Sequence, residues 1–252
     1  RSPKLNISYI NNVYSEYIGS KIFELLGINV QKVKLGYYHQ DDRMFYVCAC
    51  EDFTNENTKL IEFEKLENAS LDSEGERKDL SDIKHIIELN TYNIDKTSFK
   101  NFFWDMFIVD CLIGNTDRHN GNFGFIKNIK TEELTLAPIY DCGSCLFSTF
   151  TDEKMEEVLN NEGLLRDCIK NTSSAIKYNG SKIKYYDFIT KLENDDCSEA
   201  LMRMYPRIDI NKINDIIDEI SCITNIRKKF YKVIIKYKYE EILQVAYRKK
   251  LK

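Results

Sequence analysis

The chain of 252 residues is 43% hydrophobic and 30% charged, a balance typical of a folded globular protein with one large or two unequal domains. Its 36 basic and 40 acidic residues give a net charge of −4, which argues against a nucleic-acid-binding or anionic-lipid-binding protein. No run approaches the roughly 18 consecutive apolar residues that cross a bilayer, so we expect no membrane span.

The N-terminal part combines a helix with a hairpin. In YSEYIGSKIFELLGI, residues 14–28, apolar residues recur at helical spacing, which predicts a helix that stops at Gly27. Two strand-like runs follow, VQKVKLGYYH and RMFYVCAC, and the QDD between them predicts a β-hairpin. Cys48 and Cys50 alternate with apolar neighbours in the second run, so we interpret both as small core residues.

The middle of the chain contains the strongest helical pattern. Residues 68–82 lack an apolar period and predict an exposed loop, whereas residues 98–115 carry a wide apolar stripe and predict a buried helix. The polar run NTDRHNGN follows that helix. Residues 122–128 and 134–141 flank the turn-rich IKTEE and predict a second β-hairpin.

The C-terminal part is helical in pattern from Thr151 to the end. In its basic run RKKFYKVIIKYKY, residues 227–239, apolar residues recur at helical spacing. We therefore expect the lysines to line the solvent-exposed face of a helix rather than to bind nucleic acid. The whole chain is expected to be a short mixed N-terminal part followed by a mainly helical body.

The polar run and the second hairpin bring together oxygen-bearing side chains. Paired residue numbers in an antiparallel hairpin have a constant sum, and pairing Asn122 with Asp141 puts the turn centre inside IKTEE. Both side chains should then lie at the same end of the hairpin as Asp117. Two carboxylates and an amide oxygen would then lie in one region. Mg²⁺ that is also bound to phosphate needs only one or two protein oxygens, so one carboxylate is free to act as a base. A hairpin-entry turn of Asn, Asp and Gly is the alternative.

These residues carry a family resemblance. LIGNTDRHNGNFGF, residues 112–125, and LAPIYDCGSCL, residues 136–146, closely resemble the catalytic and metal-binding segments of HipA-like serine/threonine kinases, including the shorter CtkA-type members. The likeness covers most of residues 13–147. It implies an α+β, protein-kinase-like bilobal fold, with residues 1–53 as a reduced N-lobe of helix and hairpin and residues 54–252 as a helical C-lobe.

The resemblance also implies an activity. The protein would be a Ser/Thr protein kinase that uses ATP and Mg²⁺, with Asp117 as the catalytic base. Asn122 and Asp141 would be the Mg²⁺ ligands, with Asp141 at the place of the D-F-G aspartate in other kinases. The substrate would be a protein with a Ser or Thr acceptor, and autophosphorylation is included in this expectation.

Two neighbours of the catalytic aspartate have supporting roles in the same resemblance. His119 would brace the loop, or would be a surface histidine without a role. Arg118 would pair a phosphate, or one of the acidic residues Asp105 and Asp110 in the preceding helix.

The nucleotide is expected where the second strand-like run ends. The backbone of Glu51, Asp52 and Phe53 would hydrogen-bond adenine as a kinase hinge does, although any strand that ends in acidic residues looks the same. Glu16 resembles the glutamate that pairs with the ATP-holding lysine of kinases; the alternative is a solvated helix residue.

The sequence departs from the kinase pattern in its first 13 residues. A kinase has a strand lysine and a Gly-rich loop before its first helix, whereas residues 1–13 hold one lysine, Lys4, in no strand pattern. Either the first part of the N-lobe is missing from this sequence or nucleotide is bound without it. We favour a missing part, and expect weak ATP binding in its absence.

Other functions stay open at this point. DRHNGN also resembles the catalytic loop of phosphatidylinositol kinases, which continue into an HIDFG-like stretch that is absent here. A nucleotide-binding pseudokinase, or a toxin-type interaction module with an antitoxin-type protein partner, would explain the missing lysine but not the intact acidic residues. Eight cysteines without a complete zinc pattern suit reduced thiols and a cytoplasmic location, and secretion into other cells stays open.

Overall fold

The computed structural model describes residues 12–70, 79–89 and 94–252. A 3₁₀ turn at Tyr205–Arg207 and a π-helical turn at Tyr239–Gln244 accompany the regular elements. The helices are α1 (Asn12–Leu25), α2 (Phe63–Ser70), α3 (Leu80–Leu89), α4 (Lys96–Ile113), α5 (Asp152–Leu159), α6 (Glu162–Lys170), α7 (Tyr185–Lys191), α8 (Asp195–Met204), α9 (Ile210–Asp218), α10 (Asn225–Lys238) and α11 (Val245–Lys250). The strands are β1 (Val33–Gln40), β2 (Arg43–Cys50), β3 (Thr58–Glu62), β4 (Gly124–Asn128), β5 (Leu134–Leu136), β6 (Ser173–Tyr178) and β7 (Ser181–Lys184).

Strands β1 and β2 form the antiparallel hairpin that the sequence predicts. Gln40 pairs with Arg43, and the two residues between them, Asp41 and Asp42, both have positive φ, as a two-residue hairpin turn requires. In the described part of the chain this ribbon has no third strand. Cys48 is therefore only half-buried and Cys50 is exposed, so the expectation that both are core residues is wrong.

A second sheet has the order β3-β4-β5. Strand β3 was not predicted, and it packs so closely on β4 that a Cβ on Gly124 would lie 2.3 Å from the carbonyl oxygen of Ile61. Phe125 pairs with Leu136, two residues out of the expected register. The proposed pairing of Asn122 with Asp141 is therefore wrong, because the chain leaves the ladder after β5.

Helix α4 is the centre of the hydrophobic core, as the apolar stripe predicts. Asp95 caps its N-terminus by accepting a hydrogen bond from the backbone N–H of Ser98 at 2.7 Å, and Gly114 ends it with φ of 65°. Apolar side chains all round the helix are buried, among them Trp104 and Leu112. The second half of the helix, Met106–Ile113, is buried on all sides and is a rigid support for the loop that follows it.

Two further expectations need correction. Of the expected loop at residues 68–82, the first three residues end α2 and the last three begin α3, where the buried Leu80 draws the chain into the core; residues 71–78 lie outside the described residues. The C-terminal part is not helical throughout, because the β6–β7 hairpin interrupts it. In α10 most lysines are exposed or half-buried, but Lys238 is fully buried.

The architecture confirms the predicted α+β class, with a small hairpin near the N-terminus and a mainly helical body. Within the described ranges, no helix combines the length and apolar character needed to cross a membrane.

Candidate active site

The end of α4 determines the start of the polar loop. The backbone N–H of Asn115 donates to the carbonyl of Asp110 at 2.8 Å, and its side-chain amide donates to the Asp110 carboxylate at 3.0 Å. The Asn115 side-chain oxygen in turn accepts from the backbone N–H of Asp117 at 3.0 Å. Tyr185 donates from its hydroxyl to the Asn115 carbonyl at 2.8 Å. Asp117 is thus fixed through its backbone, while its side chain is exposed.

Arg118 is buried and connects the loop with the segment between β5 and Asp141. Its Nε donates to the Asp110 carboxylate at 3.0 Å, and its Nη1 donates to the carbonyls of Asn122, at 2.9 Å, and of Tyr140. Burial lowers the pKa of Arg118, but the Asp110 carboxylate and Cys142 together raise it by more, so the guanidinium stays charged. Of the three partners considered for Arg118, the structure selects Asp110.

His119 lies inside the turn of the loop. Its backbone N–H donates to the carbonyl of Asp117 and its own carbonyl accepts from Asn122, both at 2.8 Å. Its Nδ1 accepts from the backbone N–H of Gly121 at 3.0 Å. A Cβ on Gly121 would lie 2.9 Å from the imidazole Cε1, which explains the glycine. These contacts are those of a bracing residue rather than of a free surface histidine.

The two expected Mg²⁺ ligands are held by different means. The side-chain nitrogen of Asn122 donates to the carbonyl of Asp117 at 2.8 Å, which leaves its side-chain oxygen as an acceptor. Asp141 has φ of 57°, a left-handed conformation that Asp tolerates better than most residues, and its side chain is exposed. Arg118 binds the carbonyl of Asn122 and that of the residue before Asp141, so it fixes both backbones.

Helix α1 brings Glu16 to the same place. Gly19 allows the close approach, because a Cβ there would lie 2.7 Å from the Cβ of Cys142. Burial, and then the negative charge of Asp141, raise the pKa of Glu16, while Arg118 opposes both. Glu16 and Asp141 are therefore neighbouring carboxylates, and none of the described lysines forms an ion pair with Glu16.

A cavity of about 570 Å³ joins most of the predicted nucleotide residues. Glu16, Asp141 and residues 51–53 all line it, whereas Asn122 does not. The ring of Phe53 lies 5.9 Å from that of Tyr140, centroid to centroid. Sequence reasoning assigned no role in this cavity to the other lining residues: Gln31, Cys50, Thr54, Leu60 and Tyr140.

The backbone of the expected hinge is only partly available to adenine. The N–H of Glu51 donates to the carbonyl of Lys32 at 2.9 Å, and its carbonyl accepts from the side chain of Gln31 at 2.8 Å. In the described structure, the backbone groups of Asp52 and Phe53 have no hydrogen-bond partner. Adenine contacts are therefore open at Asp52 and Phe53 but not at Glu51.

The donor set fits a metal that is shared with a ligand. Among the described residues, no group of three or more His, Cys, Asp or Glu side chains could hold a metal ion. Mg²⁺ commonly takes one or two protein oxygens and completes its shell with phosphate and water. The Asp141 carboxylate and the Asn122 amide oxygen are donors of that kind. The charge of Asp141 adds to burial in raising the pKa of Glu16, and a bound cation would relieve that repulsion.

Comparisons with known proteins agree with this geometry. Residues 3–224 match the HipA-like C-terminal domain family. The chain is 40% identical over 250 residues to the serine/threonine-protein kinase CtkA of Helicobacter pylori. The matched region covers 98% of this chain and 75% of that protein. The crystal structure of the Helicobacter pylori proinflammatory kinase CtkA superposes with a TM-score of 0.90 at 40% identity, over 96% of this chain and 87% of that one.

A more distant structure shares the fold. HipA of Shewanella oneidensis, in a complex with HipB and operator DNA, superposes with a TM-score of 0.63 at 15% identity, over 93% of this chain and 56% of that chain. At this identity the likeness is one of fold. Together with the CtkA structure it confirms the predicted kinase-like architecture.

Proposed function

Because the chain belongs to the HipA-like C-terminal domain family, and is a serine/threonine protein kinase of that type, we propose that it transfers the γ-phosphate of Mg²⁺-bound ATP with Asp117 as catalytic base. The observation that carries the proposal is the convergence of Glu16, Asp141 and the expected hinge on one cavity. A polar turn without function would not require that convergence.

Asp117 accepts the proton of the acceptor hydroxyl in this proposal. Its carboxylate is exposed to a substrate, and its position is fixed from behind by Asn115 and the buried Arg118 network. A base must lie within hydrogen-bond reach of the proton that it removes, so a rigid backbone at Asp117 orients the attacking oxygen.

Asn122 and Asp141 hold Mg²⁺ in the same proposal. The bound ion would neutralise negative charge on the phosphates of ATP as the phosphoryl group leaves. Asp141, together with Glu16 in its ionised form, makes this end of the cavity negative and so attracts the cation. The adenine ring lies at the other end, against Phe53, where backbone groups of Asp52 and Phe53 are open.

The partners follow the same chemistry. The substrate is a protein with a Ser or Thr acceptor, and the chain itself is one candidate. An antitoxin-type protein partner is a further proposal, which the likeness in fold to a HipA solved with HipB supports. All eight cysteines are free, which suits the reducing cytoplasm, where we propose that the protein acts. Among the described residues, none of the contacts at the candidate active site favours a lipid kinase over a protein kinase.

The test is intact-protein mass after incubation with Mg²⁺ and ATP, alone and with a generic acceptor protein. We expect a phosphate-sized gain in mass on the chain or the acceptor. Asp117→Asn should abolish the gain while nucleotide binding persists, because Asp117 does not line the nucleotide cavity. Asp141→Asn should weaken Mg²⁺-dependent nucleotide binding itself.

Two outcomes would contradict parts of the proposal. Transfer at the wild-type rate by Asp117→Asn would exclude Asp117 as the base. Nucleotide binding without transfer by the wild-type chain, with every acceptor, would make this chain a nucleotide-binding pseudokinase.

A further inference from the structure

A second cavity, of about 530 Å³, starts at Thr116, the residue before Asp117. Phe147 and Phe150 form one wall, with ring centroids 4.9 Å apart, and Val158 of α5 and Leu164 of α6 form another. We call this cavity the acceptor groove, defined by Thr116 and these four apolar residues. It lies beside the catalytic loop, and none of these residues lines the nucleotide cavity.

The backbone that carries Phe147 is unusual. Leu146 and Phe147 are consecutive residues with φ of 52° and 54°, a conformation that costs free energy for bulky side chains. It is maintained because Leu146 is fully buried and its N–H donates to the carbonyl of Ile113, at the end of α4, at 2.9 Å. The double bend leaves Phe147 half-buried in the groove. Strained backbone of this kind is concentrated at functional sites.

The groove and the catalytic loop are also connected directly. The backbone N–H and the hydroxyl of Thr116 both donate to the carbonyl of Ser144, at 3.4 Å. Ser144 belongs to the segment that runs from Asp141 to Phe147. The segment from Asp141 to Phe147 therefore connects the expected metal ligand, Asp141, with the wall of the groove at Phe147. Between them, Ser144 contacts Thr116, the neighbour of the expected base.

We propose that the acceptor groove binds the acceptor segment of the protein substrate, and that it selects an apolar side chain close to the phosphorylated Ser or Thr. The proposal rests on the proposed kinase function. Thr116, which lines the groove, is the chain neighbour of Asp117. An extended peptide advances about 3.4 Å per residue, so a peptide with its hydroxyl at Asp117 can place a nearby side chain in the groove. The walls offer aromatic and aliphatic surface, which favours Leu, Ile, Met or Phe over a charged residue.

The charged rim is consistent with this occupant. Lys154 and Lys182 stand at the rim with Asp167, and Lys154 forms an ion pair with Glu157 at 2.8 Å. Lys182 is exposed and forms no ion pair among the described residues. A basic substrate side chain would meet both Lys182 and Asp167 at the rim and would leave the apolar walls uncovered, so it should be less favoured than an apolar side chain.

The experiment maps the phosphorylated sites in a dephosphorylated mixture of proteolytic peptides after reaction with the full chain, Mg²⁺ and ATP. We expect apolar residues to be enriched at one fixed position near the acceptor. Synthetic peptides with Leu, Asp or Lys at that position should then differ, with kcat/KM about tenfold or more higher for Leu than for Lys. Fluorescence anisotropy of labelled peptides with Ala in place of the acceptor should give the same order of affinity.

A substituted groove provides the sharper test. Leu164→Asp should lower kcat/KM for the Leu peptide and raise it for the Lys peptide, a reversal that misfolding cannot produce. Ile129→Asp is the matched control, because Ile129 is half exposed in the β4–β5 turn, outside the groove, and should leave the preference unchanged. Phe150→Ala should weaken the preference for Leu without reversing it.

The outcomes separate the two proposals. Transfer with no preference at any position, or a preference that Leu164→Asp leaves unchanged, would overturn the groove assignment and leave the kinase proposal standing. Nucleotide binding without transfer to any acceptor would overturn both. Self-association of the chain that Leu164→Asp abolishes, without any effect on peptide preference, would assign the groove to a second copy instead.

Discussion

Arg118 and Asp110 form an ion pair in which both side chains are 1% exposed, with Arg118 Nε 3.0 Å from Asp110 Oδ2. The same guanidinium binds backbone carbonyls on either side of the expected metal site, those of Asn122 and Tyr140. One buried charge pair therefore connects the core helix α4 to both expected Mg²⁺ ligands.

Asp110→Ala should destabilise the protein by about 3–5 kcal/mol, because it leaves the Arg118 charge buried without its counter-ion. Asp105→Ala is the control on the same helix: Asp105 pairs with Arg203 at 2.7 Å, but Arg203 is 30% exposed. Its loss should cost about 1 kcal/mol. Urea unfolding measures both, and equal costs would contradict the special role of the buried pair.

Gly19→Ala should weaken nucleotide binding about tenfold, because the added Cβ would lie 2.7 Å from Cys142 and push α1, with Glu16, away from Asp141. Alanine is otherwise favoured over glycine inside a helix by about 1 kcal/mol. Gly36→Ala is the control, since nothing lies within 4 Å of its Cβ position. The measurement is calorimetric titration with Mg²⁺ and ATP, and an unchanged affinity for Gly19→Ala would sink this account of how α1 is positioned.

Glu16→Gln should make the protein more stable than wild type at neutral pH. Burial and then Asp141 raise the pKa of Glu16, so its neutral form is the one that suits the folded state. The contribution of Glu16 to the stability of the folded protein is complete below its ordinary pKa of 4.5. That contribution is lost as the pH rises through the raised pKa of Glu16 in the folded protein. The difference between the two proteins should therefore grow across that window.

Thermal unfolding against pH measures this difference for Glu16→Gln. Mg²⁺ with a non-hydrolysable ATP analogue should reduce it at neutral pH, because a cation beside Asp141 favours the charged form of Glu16. If the difference in stability between the two proteins stays constant with pH, the pKa of Glu16 is not raised in the folded protein.

Lys238→Met should stabilise the protein at pH 7. The Lys238 amine is fully buried and, in the described structure, has no hydrogen-bond partner; burial lowers its pKa to about 8, against the opposing effect of the Cys111 and Cys168 thiols. Below pH 8 the folded state carries the whole cost of the buried charge, on the order of 3 kcal/mol. The cost falls as pH rises from about 8 towards 10.5, because the folded protein releases the proton first.

The observable for Lys238 is the difference in free energy of unfolding between wild type and Lys238→Met from pH 7 to 10.5. The difference is needed because cysteine and tyrosine residues titrate in the same range. The gain should be largest at pH 7 and shrink with rising pH; a gain independent of pH would mean that folding does not lower the pKa of Lys238.

The sequence predicts those parts of the fold that local patterns determine. The apolar stripe of α4 must be buried wherever the helix lies in the fold. Asp41 and Asp42 suit a two-residue turn in any β-hairpin. The polar loop was located because Asp117, Asn122 and Asp141 follow a helix and a strand in a recognisable order. The roles that the resemblance implies for these residues stay predictions.

Tertiary context determined what the sequence could not show. Strand β3 has a weak pattern of its own and exists because β4 offers it an edge. The register of the second hairpin was wrong by two residues, since only β5 pairs and the chain then turns away. Lys238 looks like its exposed neighbours in sequence, and only the packing of α10 beneath Gly114 buries it.

The β1–β2 ribbon leads directly into the wall of the nucleotide cavity at Glu51, and Tyr37 and Met44 on it are 64% and 48% exposed. Isolated two-stranded ribbons are marginally stable, so the amide protons of this one should exchange with solvent far faster than those of α4. Any ligand that bridges Phe53 and Asp141 fastens the end of β2 to the core. Slower hydrogen exchange along β1, and along β2 before Cys50, would thus report the occupancy of the cavity from residues that do not line it.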